Sequence, residues 1–405
     1  MTNRKIINDP VSGFIEIPYG PLLDILLHPC FQRLSRIKQL GLSSTVYPGA
    51  QHTRLQHSLG AYHLMGGAIK HLQEKGNFIS DSEAEAVKIA ILLHDIGHGP
   101  FSHVLEHTLV GGISHEDISE MIMERMNQEM NGKLSLGIEI FKGSYPKRFL
   151  HQLVSGQLDM DRLDYLRRDA FYTGVMEGNI GSDRIIQMLN VRDDNLVVEQ
   201  KGIYSIENFL LTRRLMYWQV YLHKTSVGYE RMLVNALRRA QQLASQGHPL
   251  FASPSLLFFL QNKITRKDFQ DNPDCLHHFL KLDDNDVWTA LKVWCDNPDP
   301  ILSLLSQSIT DRHLFKVEVL EEPLSCERKR QLEASLAYKL HIAPTDTQYF
   351  WYLADIHNQM YATDDGQIGI LLKNGDIKDI TQVSDVMNSS LVTRPDKKYY
   401  LCYYK

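Results

Sequence analysis

The sequence predicts a mainly α-helical chain that opens on a short β-hairpin and ends in a small α+β domain. Apolar residues recur at helical spacing over most of positions 21–311. Strand-like runs are confined to the first 20 positions, to a break at 191–202 and to the stretch beyond Asp311. Clusters of Asp, Asn and Pro interrupt the later helices, at Asn272-Pro273-Asp274 and at Asp296-Asn297-Pro298-Asp299-Pro300. The expected division is a hairpin at 1–20, a helical domain at 21–250, a helical extension at 251–311 and an α+β domain at 312–405.

Ile6-Ile7 and Phe14-Ile15-Glu16-Ile17 flank the turn residues Asn8 to Gly13 and form the hairpin. Pro21 to His28 is a short helix. Pro29 to Leu40 is another, with Phe31, Leu34, Ile37 and Leu40 on one face. Gly41 to His52 reads as a loop. Thr53 to Lys75 is a long helix turning Leu55, Leu59, Leu64 and Ile69 inward. The next helix starts at the capping-box pattern Ser82…Glu85 and ends at His94-Asp95. His115 to Met130, Pro146 to Val154 and Asp159 to Tyr172 are amphipathic. Asn195 to Glu199 is a strand. Tyr204 to Ser245 is expected to be two helices bent near Gly228. Pro254 to Leu304 holds short helices. The final segment alternates strands at Leu314–Leu320, Gln348–Leu353, Gly369–Lys373 and Lys398–Tyr404 with a helix at Cys326–His341.

With 405 residues, 43% of them hydrophobic, the chain can bury a full core. Its net charge of -5 argues against general nucleic-acid binding but leaves room for a local basic pocket that takes a small anion. The five cysteines form no C-x-x-C pair and are odd in number, which points to reduced thiols in a cytoplasm. The first residues lack the apolar core of a signal peptide, and no run approaches the ~20 apolar residues of a membrane span. A soluble cytoplasmic protein is expected.

One stretch carries chemistry. The apolar run Ile89 to Leu93 ends in His94-Asp95, and Gly97, Gly99 and Pro100 stop the helix there. Unpaired polar groups in a dry setting cost several kcal/mol, roughly 2–7 for a neutral one. Either a hydrogen-bonded pair or a divalent cation satisfies a histidine and an aspartate so placed. His57 sits on a helix that otherwise turns leucines inward. Asp161 belongs to Leu158-Asp159-Met160-Asp161-Arg162-Leu163-Asp164-Tyr165, a crowding of carboxylates that invites cations. Spacing alone does not bring these helices together.

The combination His57…His94-Asp95…Asp161 resembles the H…HD…D signature of the HD superfamily of metal-dependent phosphohydrolases. Further segments are similar to the branch that hydrolyses deoxynucleoside triphosphates. They are Asn8-Asp9-Pro10, Phe31-Gln32-Arg33-Leu34, Ile37-Lys38-Gln39-Leu40-Gly41, Pro48-Gly49-Ala50, Arg54 with His57-Ser58-Leu59-Gly60, His94 to His103, and Asp159-Met160-Asp161. The resemblance runs from about Lys5 to about Ala240 and touches the tail only weakly. It implies an HD-domain helical core and one divalent metal ion (Mn, Fe, Zn, Ni or Mg) on His57, His94, Asp95 and Asp161. It implies His115 as the catalytic histidine, Glu106 behind it where an aspartate is familiar, and His98 and His103 at the phosphates. Arg54, Arg162, Tyr165 and Arg213 match phosphate-binding positions. Gln39, Leu40, Asp169 and Tyr221 match positions around the deoxyribose, where a tyrosine ring would exclude a 2′-hydroxyl. His223-Lys224 also matches, whereas Tyr217 replaces a family histidine.

The resemblance further implies a nucleotide substrate and a homo-oligomer, a dimer or tetramer. Nucleotide-activated members read guanine with an aspartate and an arginine. Leu27 and Ser35 stand there instead and cannot make those bonds, though Lys5 and Asn8 remain. The expected activity is hydrolysis of a dNTP to deoxynucleoside and triphosphate. The alternatives are another nucleotide phosphate ester as substrate, or a nucleotide sensor without turnover.

Overall fold

The computed structural model describes residues 4–101, 104, 108–358, 361, 366–387 and 396–405. Helices dominate, as the periodicity predicts. Arg4–Asp9 pairs antiparallel with Gly13–Pro18. The turn is made by the Asp9 carboxylate, which accepts from the N–H groups of Val11 at 3.0 Å and Ser12 at 2.7 Å. Ile15 and Ile17 alternate inward and are fully buried.

Three helices build the frame of the site: Arg54–Glu74, Asp81–Leu93 and Met160–Thr173. The first packs against both others. Leu59, Met65, Ala68, Leu93, Leu163 and Leu166 meet in the core between them. The Asp81–Leu93 helix is buried on most of its surface near its end, so His94 emerges from an apolar setting. Among the described residues, no helix is long and apolar enough to cross a membrane.

Four local expectations are corrected. The helix expected over Pro29–Leu40 is an α-turn at Pro29–Gln32 and a 3₁₀ turn at Arg33–Arg36. Lys38 then pairs with Thr53 as an isolated bridge. Tertiary bonds override the helical pattern, since Arg33 and Arg36 donate to the 282–283 turn and Lys38 N–H to Asp284. The capping box is Ser80…Glu83, two residues earlier than expected, with Ser80 N donating to Glu83 Oε2 at 2.8 Å and Glu83 N to Ser80 Oγ at 3.2 Å. The break expected near Gly228 lies at Tyr217–Tyr221, a π-helical turn between Ile203–Met216 and Lys224–Ser245. Gly228 is inside the second of these helices. A Cβ there would lie 2.8 Å from Val317 Cγ2, so the glycine serves close packing.

The fourth concerns the strands. Leu189–Arg192 forms an unforeseen hairpin with Asn195–Glu199. Gly369–Leu371 adds to it in parallel, and Ile377–Asp379 follows. The remaining late strands form a separate antiparallel sheet with Asp396–Tyr403 between Lys316–Leu320 and Trp351–Asn358. The late strands are thus divided, and one pair is sequestered by the mid-chain hairpin.

Glu83 links fold to site, because it caps the helix that ends at His94. Its side chain is 6% exposed and lies 2.8 Å from Lys147 Nζ. Tyr145 Oη donates to it at 2.8 Å. Burial opposes its ionisation, but Lys147, Ser80 and Tyr145 outweigh burial and hold the carboxyl down at about 2. A carboxyl lowered in the folded state contributes stability at neutral pH that is lost as pH falls through its folded value. Glu83→Gln is expected to cost roughly 1–3 kcal/mol at pH 7. The deficit should shrink as pH falls toward 2. Denaturant titrations at several pH values check this, and a pH-independent deficit would contradict it.

Candidate active site

His57, on the Arg54–Glu74 helix, is fully buried. Its Nδ1 faces Asp164 Oδ2 at 2.9 Å, and its Nε2 faces Asp161 Oδ1 at 2.9 Å and His94 Nε2 at 3.3 Å. His94 Nδ1 lies 2.6 Å from the Ile91 carbonyl oxygen. A carbonyl only accepts, so His94 Nδ1 carries the proton. By the same reasoning His57 Nδ1–H donates to the Asp164 carboxylate. In the neutral rings both Nε2 atoms then present lone pairs to one point, which Asp161 also faces. His57, His94 and Asp161 thus form an acceptor-only cluster that could hold a metal ion. The spacing fits. Ligand atoms about 2.0–2.1 Å from a tetrahedral ion lie about 3.4 Å from one another. His94 Nε2 is 3.4 Å from Asp161 Oδ1 and 3.4 Å from Asp95 Oδ1.

Asp95 stands at the edge of the cluster, 3.7 Å from His57 Nε2. Arg54 Nη1 donates to its Oδ2 at 2.6 Å, and His98 Nε2 lies 3.3 Å from its Oδ1. Burial opposes charge on Asp95, yet His94 and Arg54 hold it well below the usual carboxylate range. Burial likewise opposes a charge on His57, but Asp161 and Asp164 outweigh it and push the ring up to about 10. The cluster pulls a positive charge into itself, as a cation site should.

Two glycines let the parts approach. A Cβ on Gly60 would lie 2.0 Å from Asp164 Oδ1 and 2.2 Å from Arg168 Nη2. The same pair orients His57: Arg168 Nε donates to Asp164 Oδ2 at 2.8 Å, and Arg168 Nη1 to Asp9 Oδ2 at 2.8 Å. A Cβ on Gly97 would lie 2.1 Å from the His115 carbonyl oxygen. Gly97 N donates to Ser119 Oγ at 2.9 Å, and Ser119 Oγ donates to the His94 carbonyl at 2.9 Å. This docks the His94–Phe101 segment on the His115–Glu129 helix and brings His115 to the cluster.

A cavity of about 500 Å³ adjoins the cluster, lined by His94, Asp95, His115, Asp161 and Arg162 among others. His115 and His98 stack with ring centroids 3.9 Å apart. Burial and nearby Arg54 push His98 down to about 3, so its ring is neutral. Arg162 is steadied by Asp159, whose Oδ2 accepts from Arg162 Nε at 3.2 Å. His103 and Glu106 lie outside the described residues.

The expected nucleoside-side residues form one connected group, and none of them lines this cavity. Tyr221 Oη donates to Asp169 Oδ2 at 2.7 Å, and His52 Nε2 meets Asp169 Oδ1 at 2.7 Å. The Tyr221 ring packs edge-on to Tyr165, which packs edge-on to His57. Gln39 N donates to the His52 carbonyl. Leu40 accepts from Ser43 N and opens the following 3₁₀ turn. Arg213 Nη1 donates to Gln157 Oε1 at 3.1 Å. Tyr217 packs against Tyr221 within the π turn.

The sequence reading missed Asp9, His52, Gly60, Asp164 and Arg168 as parts of this site. Asp164 was detectable, since it lies three residues beyond Asp161 on one helix. The long-range partners carry no local signal.

Comparison with known proteins agrees with this geometry. The HD domain family matches residues 54–168, and the HD associated region family matches 180–249. The chain is 65% identical to a phosphohydrolase of Bacteroides thetaiotaomicron of known crystal structure, covering 99% of this chain and 100% of that one at a TM-score of 0.97. It is 32% identical to YwfO of Bacillus subtilis, over 99% of this chain and 92% of that protein. It is 31% identical to the human deoxynucleoside triphosphate triphosphohydrolase SAMHD1, over 58% of this chain but only 44% of the human protein.

The cluster predicts roughly one tightly held divalent metal ion per chain. Elemental analysis should find it in the wild type and find it depleted in His57→Ala and in Asp161→Ala. Undiminished metal in both variants would remove the assignment.

Proposed function

The chain belongs to the HD superfamily of metal-dependent phosphohydrolases, on its deoxynucleoside triphosphate triphosphohydrolase-like branch, and from that premise we propose that it hydrolyses dNTPs to deoxynucleoside and triphosphate. The observation that carries the reading is the His57, His94 and Asp161 cluster opening beside His115 and Arg162. When bound there, a divalent cation supplies Lewis-acid activation of water and of a phosphoryl oxygen. The protein's own groups do the rest. Arg54, Arg162 and Arg213 are the guanidinium groups assigned to the polyphosphate, whose charge they match. His115, at the first turn of its helix and stacked on neutral His98, is the group assigned to proton transfer near the leaving oxygen.

For the sugar, Tyr221 is assigned to closing the space at C2′. The hydrogen bond from Tyr221 Oη makes Asp169 the holder of that ring as well as a candidate sugar contact. Glu106 and His103 keep the roles that the resemblance implies. The SAMHD1 relatives support a nucleotide substrate, and the 65%-identical phosphohydrolase supports the reaction class.

Two measurements test this. Chromatography of a dNTP digest with Mn²⁺ or Mg²⁺ should show deoxynucleoside and intact triphosphate. Stepwise dNDP and free phosphate would mean attack at the γ-phosphorus and would overturn the assigned substrate orientation. The second concerns sugar choice. Tyr221→Ala should narrow the preference for deoxy- over ribonucleotides by about tenfold, for a lost steric exclusion of this size, and Asp169→Asn, which weakens the bond that holds the ring, should narrow it by less. Both should retain wild-type metal content. If both variants kept the full preference, the sugar pocket would have to be sought elsewhere.

A further inference from the structure

The turn at 282–284 lies outside both matched family segments. Its three consecutive residues each accept a hydrogen bond from the segment 33–38. The Leu282 carbonyl accepts from Arg33 Nε at 2.7 Å. Asp283 Oδ2 accepts from Arg36 Nε at 2.5 Å. Asp284 is 4% exposed and accepts from two different segments at once. Its Oδ2 takes Lys38 N at 2.9 Å, and its Oδ1 takes Phe101 N at 3.2 Å.

Those two amides flank the chemistry. Lys38 directly precedes Gln39 and Leu40. Phe101 closes the turn that carries Asp95 and His98. Phe101 has φ 51 without being a glycine, a conformation that only surrounding contacts maintain. Those contacts come from the same helix, Asp284–Trp294, whose Trp288 ring meets the Phe101 ring edge-on at 6.0 Å. Gly41 lies against Phe101 from the other side, where a Cβ would be 3.8 Å from Phe101 Cα. Segments 38–41 and 98–101 therefore meet at Phe101, and one carboxylate ties them together.

We propose that Asp284 is a positioning residue, which sets the spacing between the nucleoside-side segment 38–41 and the catalytic turn ending at Phe101 without touching substrate. The assignment of 38–41 to the nucleoside rests on the function proposed above. The clamp itself rests on the two hydrogen bonds alone. Among the described residues neither backbone amide has an alternative helical or ladder acceptor, since Lys38 follows the end of a 3₁₀ turn and Phe101 sits in a tight turn. Removing the carboxylate strands a buried donor at Phe101 and a half-buried one at Lys38 and frees both segments to shift.

The experiment uses the full-length, metal-loaded protein and the variants Asp284→Ala and Asp284→Asn. Hydrogen exchange at the Lys38 and Phe101 amides should accelerate by about tenfold or more in Asp284→Ala, the loss of a hydrogen bond to a charged acceptor. Metal content should stay at the wild-type level. The KM for a dNTP should rise by about tenfold, as displaced positioning requires. A merely structural role would reduce the active fraction, lowering kcat and leaving KM unchanged. Asp284→Asn retains one carbonyl acceptor and nearly the same volume. It should protect one of the two amides and give an intermediate KM, and it serves in place of the alanine variant if that fails to fold. Unchanged exchange at both amides overturns the clamp, and faster exchange with unchanged KM overturns its positioning role. If the wild type turns over no dNTP, the proposed substrate is wrong, while the exchange readout still decides the clamp. KM is then taken on whichever nucleotide is hydrolysed.

Discussion

The ion pair between Arg168 and two aspartates, Asp164 and Asp9, is the constraint on which the site depends. All three side chains are buried, with Arg168 fully so. Burying such charges is costly unless every partner is in place, and removing one partner leaves an uncompensated charge worth roughly 3–5 kcal/mol. Here the partners come from three places: the hairpin turn, the Met160–Thr173 helix and, through His57, the Arg54–Glu74 helix. Asp164 faces His57 Nδ1 with the same carboxylate that accepts from Arg168. The network therefore sets the proton on His57 and aims its other nitrogen at Asp161. Gly60 is part of this constraint, because any Cβ there would occupy the space of the ion pair.

Around that anchor the site is assembled from ends of elements. His94 and Asp95 follow the last turn of a buried helix, His115 begins one, and Asp161 lies in the first turn of another. Helix ends are where backbone groups need partners, and at two of these ends a side chain supplies one. Ser114 Oγ accepts from Asp117 N, and Asp159 Oδ1 accepts from Arg162 N. The caps place His115 and Arg162 at the same cavity. The electrostatics follow from burial. Imidazoles and carboxylates with few donors among them attract a cation, while His98, beside Arg54, is kept neutral.

The group around Tyr221 and Asp169 is built differently, from packed tyrosine rings and one buried carboxylate. Tyr165 and Tyr221 are partly buried against the core and lie well above the usual tyrosine range, burial being the main cause. Their hydroxyls therefore stay protonated and available as donors. Tyr221 is carried on a π turn, an uncommon geometry that recurs at functional sites. The outer brace comes from the 282–284 turn, whose acceptors take the Arg33 and Arg36 guanidinium groups and the Lys38 backbone N–H.

By itself the sequence determined the helical class, the position of the hairpin and the segments that hold His57, His94, Asp95, Asp161 and His115. Those signals are legible without the fold: apolar periodicity, a helix stopped by glycines after His94-Asp95, and a family motif carried by short segments of the chain. Only the tertiary structure decided what depends on distant partners. It shifted the capping box to Ser80 and Glu83, because Lys147 and Tyr145 draw the Glu83 carboxylate inward. It turned the expected Pro29–Leu40 helix into two short turns, because Arg33, Arg36 and Lys38 are held by residues 282–284, far along the chain. It divided the late strands between two sheets, since edge pairing with Asn195–Glu199 satisfies backbone groups that no local pattern specifies. Apolar periodicity reports which face is buried, and only the fold determines what that face is buried against.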